Sequence, residues 1–178
     1  MKTPGSLFLT GPMGSGKSTI GRQLAKQLGM EFHDSDQEIE RRTGVDIPLI
    51  FEIEGEEGFR KRERVVIDEL TQQPGIVLAT GGGAILDPDN RNHLGQRGLV
   101  IYLLTPVDVQ LVRTSSDRSR PLLQTENPGQ RLEELMQVRE PLYRETADLV
   151  VNTVGKRVRD VVREIVTQLE LKPHTPRD

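Results

Sequence analysis

The 178-residue sequence has no cysteine and no tryptophan, and only four phenylalanines and two tyrosines. Without cysteine there is no disulfide, no thiolate metal site and no thiol nucleophile. With Phe8, Phe32, Phe51, Phe59, Tyr102 and Tyr143 as the whole aromatic complement, stacking of several bases on an aromatic platform is disfavoured. Excess positive charge is lacking too. A formal net charge of -3 argues against a protein that coats nucleic acid, whose basic patch normally shows in the totals. No apolar run approaches the length that spans a bilayer. Met1–Gly5 leads directly into a strand-like stretch, without the apolar region of a secretion signal. These absences predict a single cytoplasmic domain with neither nucleic acid nor membrane as a partner.

What is present is an alternation of short apolar runs with helix-period stretches. Strands are expected at Ser6–Thr10, Met30–Asp34, Ile76–Thr80, Leu99–Leu104 and Leu149–Asn152. Ile20, Leu24, Ala25 and Leu28 share one helical face, and Gly29 follows as a left-handed terminator. Val158, Val161, Val162, Ile165, Val166 and Leu169 form a second stripe. Thr105-Pro106 reads as an N-cap followed by proline at the first helical position. Parallel strands need crossovers, which are usually helices, so the alternation predicts an α/β fold: a five-stranded parallel sheet with helices on both faces. Thr114–Gly129 is polar and reads as a long mobile loop, and 172–178 as a flexible C-terminal tail.

The strongest signal is Gly11-Pro12-Met13-Gly14-Ser15-Gly16-Lys17-Ser18, which fits G-x-x-x-x-G-K-[ST] between a strand and an amphipathic helix. Glycines let successive N–H groups turn inward onto phosphate oxygens, and the helix N-terminus adds positive potential at the same point. Lys17 can reach the β- and γ-phosphates and the Ser18 hydroxyl can bind Mg²⁺. The loop alone leaves the donor's use open. No N-K-x-D guanine-reading motif exists, and the third strand ends in Thr80-Gly81-Gly82-Gly83 rather than a carboxylate. The second strand does end in carboxylates. Asp34 and Asp36, two apart in an extended segment, would project to one side, one holding Mg²⁺ and the other an acceptor hydroxyl. The competing reading makes Asp36 the cap of a helix over Gln37–Arg42.

Other candidates are weaker by themselves. Three glycines after a strand either admit a ligand to the backbone or form a flexible turn. On the helix after Gly55, Phe59, Val66, Ile67 and Leu70 define the buried stripe, and Glu63 falls among them with Arg60 one turn earlier. A carboxylate there needs a partner. Arg60 held by it would be a preorganised fork for a carboxylate or phosphate, unless it belongs to a solvated basic face. Arg113, Arg118 and Arg120 flank or lie in the polar loop, from which an arginine can be delivered to transferring phosphate. Arg139 reads equally as surface charge. His33, His93 and His174 show no metal-ligand spacing.

Together these pieces resemble the shikimate kinase family, over roughly Leu7 to Leu169. The resemblance is carried by the opening loop and its helix, by Glu31–Glu40, by Glu54–Arg60, by Ala79–Gly83, by Arg120–Leu123 and by Arg139–Tyr143. It implies a nucleoside monophosphate kinase-like fold with an acceptor-binding region at about 35–63 and a lid at about 114–125. It implies an ATP-dependent kinase that phosphorylates the 3-hydroxyl of shikimate with one Mg²⁺ ion, working as a monomer in aromatic amino acid biosynthesis. By position, Lys17, Asp36 and Arg120 match its catalytic residues, and Gly14, Ser15, Gly16, Lys17, Ser18, Thr19, Arg113 and Arg120 its nucleotide site. Asp36, Arg60, Gly82, Gly83 and Arg139 match its acceptor site, and Ser18 and Asp34 its metal site. Another small-molecule kinase of this architecture, acting on gluconate or a nucleotide, and a non-catalytic nucleotide-binding module are the alternatives.

One outcome follows from the loop alone. Lys17→Ala should abolish triphosphate binding or turnover, measured by nucleotide titration and ADP release; normal activity would remove the assignment.

Overall fold

A computed structural model describes residues 5–117 and 119–171. The expected tail at 172–178 and Arg118 lie outside the described residues. The chain runs β1 (Leu7–Thr10), α1 (Lys17–Leu28), β2 (Glu31–Asp34), α2 (Ser35–Thr43), α3 (Ile47–Thr71), β3 (Ile76–Ala79), α4 (Pro88–Arg97), β4 (Leu99–Leu104), α5 (Val107–Thr114), α6 (Pro128–Thr146), β5 (Leu149–Asn152) and α7 (Val158–Leu171). Single 3₁₀ turns occupy Ala84–Leu86 and Pro121–Leu123. The five strands are all parallel in the order β2-β3-β1-β4-β5. The expected α/β fold is therefore the observed one.

Both faces of the sheet are covered, which is why its central strands read as unbroken apolar runs. On one face Leu7, Leu9, Val77, Ile101 and Leu103 pack with Ile20 and Leu24 of α1 and Val161, Val162 and Ile165 of α7. On the other, Phe8, Leu78 and Val100 pack with Phe59, Val66, Ile67 and Leu70 of α3 and Leu94 of α4. The order β3-β1-β4 puts a topological switch at the C-terminal edge of β1, where ligands of open α/β sheets bind.

Four local expectations are corrected. Asp34, not Asp36, caps α2: its Oδ1 accepts from the N–H groups of Asp36 and Gln37 at 2.9 and 3.1 Å, and the helix starts at Ser35. Asp34 and Asp36 are thus a strand end and a first-turn helix residue, not alternate positions of one extended strand. Thr105 does not cap α5; its hydroxyl pairs with that of Thr153 at 2.7 Å, and Pro106 occupies the cap position without a side-chain bond. The described residues of Thr114–Gly129 are not loop throughout. They hold the 121–123 turn, Leu123 is buried against Met13 and Leu132, and α6 already begins at Pro128.

α3 is broken at Gly55, whose φ of 72° and ψ of 178° lie in a region open essentially to glycine alone. The break turns Ile47–Glu54 away from the axis of the following helix. Arg62 then ties the two halves together across the break, with its Nη2 2.7 Å from Glu54 Oε1. A Cβ at Gly55 would meet nothing within 4 Å, so its cost is conformational only. Gly55→Ala is expected to lower unfolding free energy by about 1–3 kcal/mol. A urea midpoint equal to wild type would show that the break carries no such constraint.

Candidate active site

The phosphate loop joins β1 to α1, and Gly16 caps the helix in the left-handed region at φ 84°. Lys17 Nζ folds over the loop and donates to the carbonyls of Gly11 and Pro12 at 2.6 and 2.9 Å. Burial, assisted by the nearby Arg120 guanidinium, lowers its pKa to about 7. A phosphate oxygen set at this point would oppose both effects. Ser18, in the first turn of α1, donates its hydroxyl to Asp34 Oδ2 in a short hydrogen bond, while Asp34 Oδ1 stays with the α2 backbone. Two hard oxygen ligands thus converge beside the loop. Among the described residues there is no cluster of three or more His, Cys, Asp or Glu that could hold a metal. Such a sparse protein contribution fits Mg²⁺, which keeps waters and is completed by substrate phosphates.

A cavity of about 360 Å³ opens over Gly14, Lys17, Ser18, Asp34 and Asp36. A smaller one, of about 60 Å³, lies behind it and shares Asp36, Gly81, Gly82 and Arg120. Its apolar wall is Met13, Ile47, Phe51 and Phe59. A larger cavity, about 600 Å³ between α2 and α3, contains none of the expected site residues. The charges around it, Arg42, Glu54, Lys61 and Arg62, are ion-paired already. Size is therefore the wrong guide here.

The smaller cavity is where the acceptor-site candidates meet. Glu63 is 1% exposed, and its Oε1 lies 2.9 Å from Arg60 Nη1. Glu56 takes the outer nitrogen of Arg60 at 3.3 Å. Gly83 is held against that guanidinium so closely that a Cβ would stand 2.2 Å from Arg60 Nη2. Arg139 is 3% exposed, with Nη1 3.4 Å from where a Cβ of Gly82 would be. The surface-charge reading of Arg139 is therefore corrected: α6 turns it inward. The Nε atoms of Arg60 and Arg139 are buried without a hydrogen-bond partner. Asp36 lies between this pair of arginines and Lys17, with Oδ1 buried and unpartnered. Burial and the Asp34 carboxylate push Asp36 up to about 6, against the pull of Arg120 and Lys17.

Arg120 faces both cavities and is held by Asp117, with its Nε 3.2 Å from Oδ2; its Nη1 is 4.0 Å from Asp36 Oδ2. Arg113 is exposed at the end of α5, donating to the carbonyl of Gly14 at 2.9 Å. Thr19 is exposed on α1 beside Ser18. Four contributors were missed in the sequence. Glu56 stands one turn before Arg60, and Asp117 three residues before Arg120; both spacings were open to the eye. Ile47 and Phe51 gave no signal, because only the break at Gly55 brings their segment over the cavity.

Comparison with known proteins points to one family. The family model described as Shikimate kinase matches residues 13–170. A shikimate kinase of Halorhodospira halophila is 60% identical over 172 residues, covering 97% of each chain. One of Methylococcus capsulatus is 61% identical over 170 residues, covering 96% of this chain and 95% of that one. Among solved structures, the shikimate kinase from Acinetobacter baumannii in complex with shikimate superposes with a TM-score of 0.93 at 54% identity, covering 97% of each chain. That from Aquifex aeolicus superposes at 0.80 and 36% identity, over 93% of this chain and 96% of the other.

Burial, augmented by the Asp36 charge and offset in part by Arg60, raises Glu63 from 4.5 to about 7. The folded state thus binds this proton more tightly than the unfolded one. The stability it contributes is full below pH 4.5 and is lost as pH rises through about 7. Relative to wild type, Glu63→Gln should become progressively more stable across that window, read as unfolding midpoints against pH. A flat difference would sink this assignment.

Proposed function

The chain belongs to the shikimate kinase family, and we propose that it transfers the γ-phosphoryl group of ATP to the 3-hydroxyl of shikimate, giving shikimate 3-phosphate and ADP. The observation that carries this reading is the pair of half-buried Arg60 and buried Arg139 against the triple-glycine backbone, opening onto the phosphate loop through Asp36. Two guanidinium forks suit a planar carboxylate, and the apolar wall of Ile47, Phe51 and Phe59 suits the carbon face of a small ring. A relative with shikimate bound, at 54% identity, supports the same acceptor.

In this reading the backbone N–H groups from Gly14 to Thr19 and the Lys17 ammonium hold the triphosphate, and Arg113 packs on the adenine. Ser18 and Asp34 would hold one Mg²⁺ ion, which when bound would neutralise phosphate charge. Arg60, Arg139, Gly82 and Gly83 fix the acceptor, and Asp36 orients its hydroxyl. The acceptor oxygen bonds to phosphorus as the β–γ bridge breaks, ADP leaves with the bond pair, and the hydroxyl proton passes to the Asp36 carboxylate. A group poised near 6 can take that proton near neutral pH, although a loose transition state demands little of a base. Arg120 stabilises the charge spreading over the phosphoryl oxygens. Residues 35–63 act as the acceptor-binding region and 114–125 as the lid that excludes water. The product enters aromatic amino acid biosynthesis, and the enzyme works as a cytoplasmic monomer.

Coupled ADP release should show turnover with shikimate and none with gluconate or a nucleoside monophosphate as acceptor; a better rate with either would overturn the acceptor. Arg60→Ala should raise the KM for shikimate about 10- to 100-fold, the usual weight of a hydrogen bond to a charged group, with the KM for ATP nearly unchanged. Calorimetric titration of shikimate with and without nucleotide separates acceptor binding from turnover.

A further inference from the structure

Tyr143 stands one turn after Arg139 on α6 and is 1% exposed. Its hydroxyl donates to the carbonyl of Gly82 in a short hydrogen bond, and the Arg139 guanidinium lies against the same residue, its Nη1 3.4 Å from where a Cβ of Gly82 would stand. A single oxygen thereby joins the α6 side of the acceptor cavity to the backbone that follows β3. The ring cannot swing. It stacks on Tyr102 of β4, with centroids 5.0 Å apart and planes 19° from parallel, and Tyr102 is itself 0% exposed. The Tyr102 hydroxyl is taken by Glu140, away from Gly82. Burial pushes Tyr143 up to about 12, so its hydroxyl remains a donor at any working pH.

A buried tyrosine with its hydroxyl satisfied is usually a packing residue. Here the partners decide otherwise. Both are walls of the acceptor cavity, and both would change together if the oxygen were lost: Gly82 would keep a buried carbonyl without this bond, and Arg139, which packs against Gly82, would lose the polar neighbour one turn along its own helix. A buried acceptor left unpaired is costly, so the peptide would turn to find another partner. Gly82 and the Arg139 fork would then no longer present their donors at the same angle.

We propose that Tyr143 is a positioning residue for acceptor recognition: its hydroxyl sets the Arg139 guanidinium against the Gly82–Gly83 backbone, and so sets the affinity for the acceptor's carboxylate. This rests on the acceptor reading above. Tyr143 itself touches no reacting atom, and the nucleotide side of the site does not depend on it.

The test uses the full-length enzyme with shikimate and ATP. Tyr143→Phe keeps the ring and its volume while removing the oxygen. It should raise the KM for shikimate about tenfold or more, with the KM for ATP and kcat at saturating shikimate within about twofold of wild type. Tyr102→Phe is the control: it removes the hydroxyl of the stacked partner and should lower the melting temperature without moving the KM for shikimate. In an Arg139→Lys background, Tyr143→Phe should add less than about twofold, because both changes act through one contact. An unchanged KM in Tyr143→Phe, an equal rise in Tyr102→Phe, full additivity with Arg139→Lys, or an unfolded Tyr143→Phe each overturns the proposal. Absence of shikimate turnover in the wild-type chain overturns the acceptor reading as well, whereas turnover with an unmoved KM overturns this inference alone.

Discussion

β2, β3 and β1 run in parallel with Asp34 and Leu9 both opposite Ala79, so the chain leaves three adjacent strands at one level. The exits are joined to each other as well. The N–H and hydroxyl of Thr80 both donate to the Leu9 carbonyl, at 3.1 and 3.0 Å, and the Ser35 hydroxyl accepts from Gly81 N–H at 3.1 Å. The phosphate loop, the two aspartates and the triple glycine are therefore held side by side by sheet register. A slip of one residue would exchange the side chains packed against the two helix layers, which the fitted cores on both faces oppose. The site is as rigid as the core that fixes this register.

On that frame the electrostatics follow from depth. Helix pairs such as Arg41–Glu38, whose arginine stands in high dielectric, contribute little to stability. The pair Arg60–Glu63 is different, because Glu63 is buried and its carboxylate has no water to fall back on. Such a pair holds Arg60 in one orientation more than it stabilises the fold. Arg139, with a lowered pKa from burial, is a second desolvated cation beside it. Buried N–H donors without a partner on both arginines are a cost that a bound anion would offset.

Much of this was legible because it is local. Leu99–Leu104 and Leu149–Asn152 were read to the residue, and the other strands to within one. The Arg60–Glu63 pair was reachable because three residues on a helix are neighbours whatever the rest of the fold does. Asp34 and Asp36 were misread because the same spacing is compatible with a strand or a helix start, and the choice was made by which carboxylate met the free N–H groups. Thr105 lost its capping role to Thr153, 48 residues away, a partner that no window could contain.

By itself the sequence determined the strand–helix alternation, the phosphate loop and the family resemblance, since each is written in contiguous residues whose backbone preferences act over a few bonds. The tertiary structure alone decided which of the scattered charges form one site. Arg139 became a cavity wall because α6 packs its face against β4 and the 3₁₀ turn after β3, and the smaller cavity gained its apolar side because α3 breaks at Gly55. Both are contacts between segments far apart in the chain, set by the burial of apolar faces rather than by any local preference.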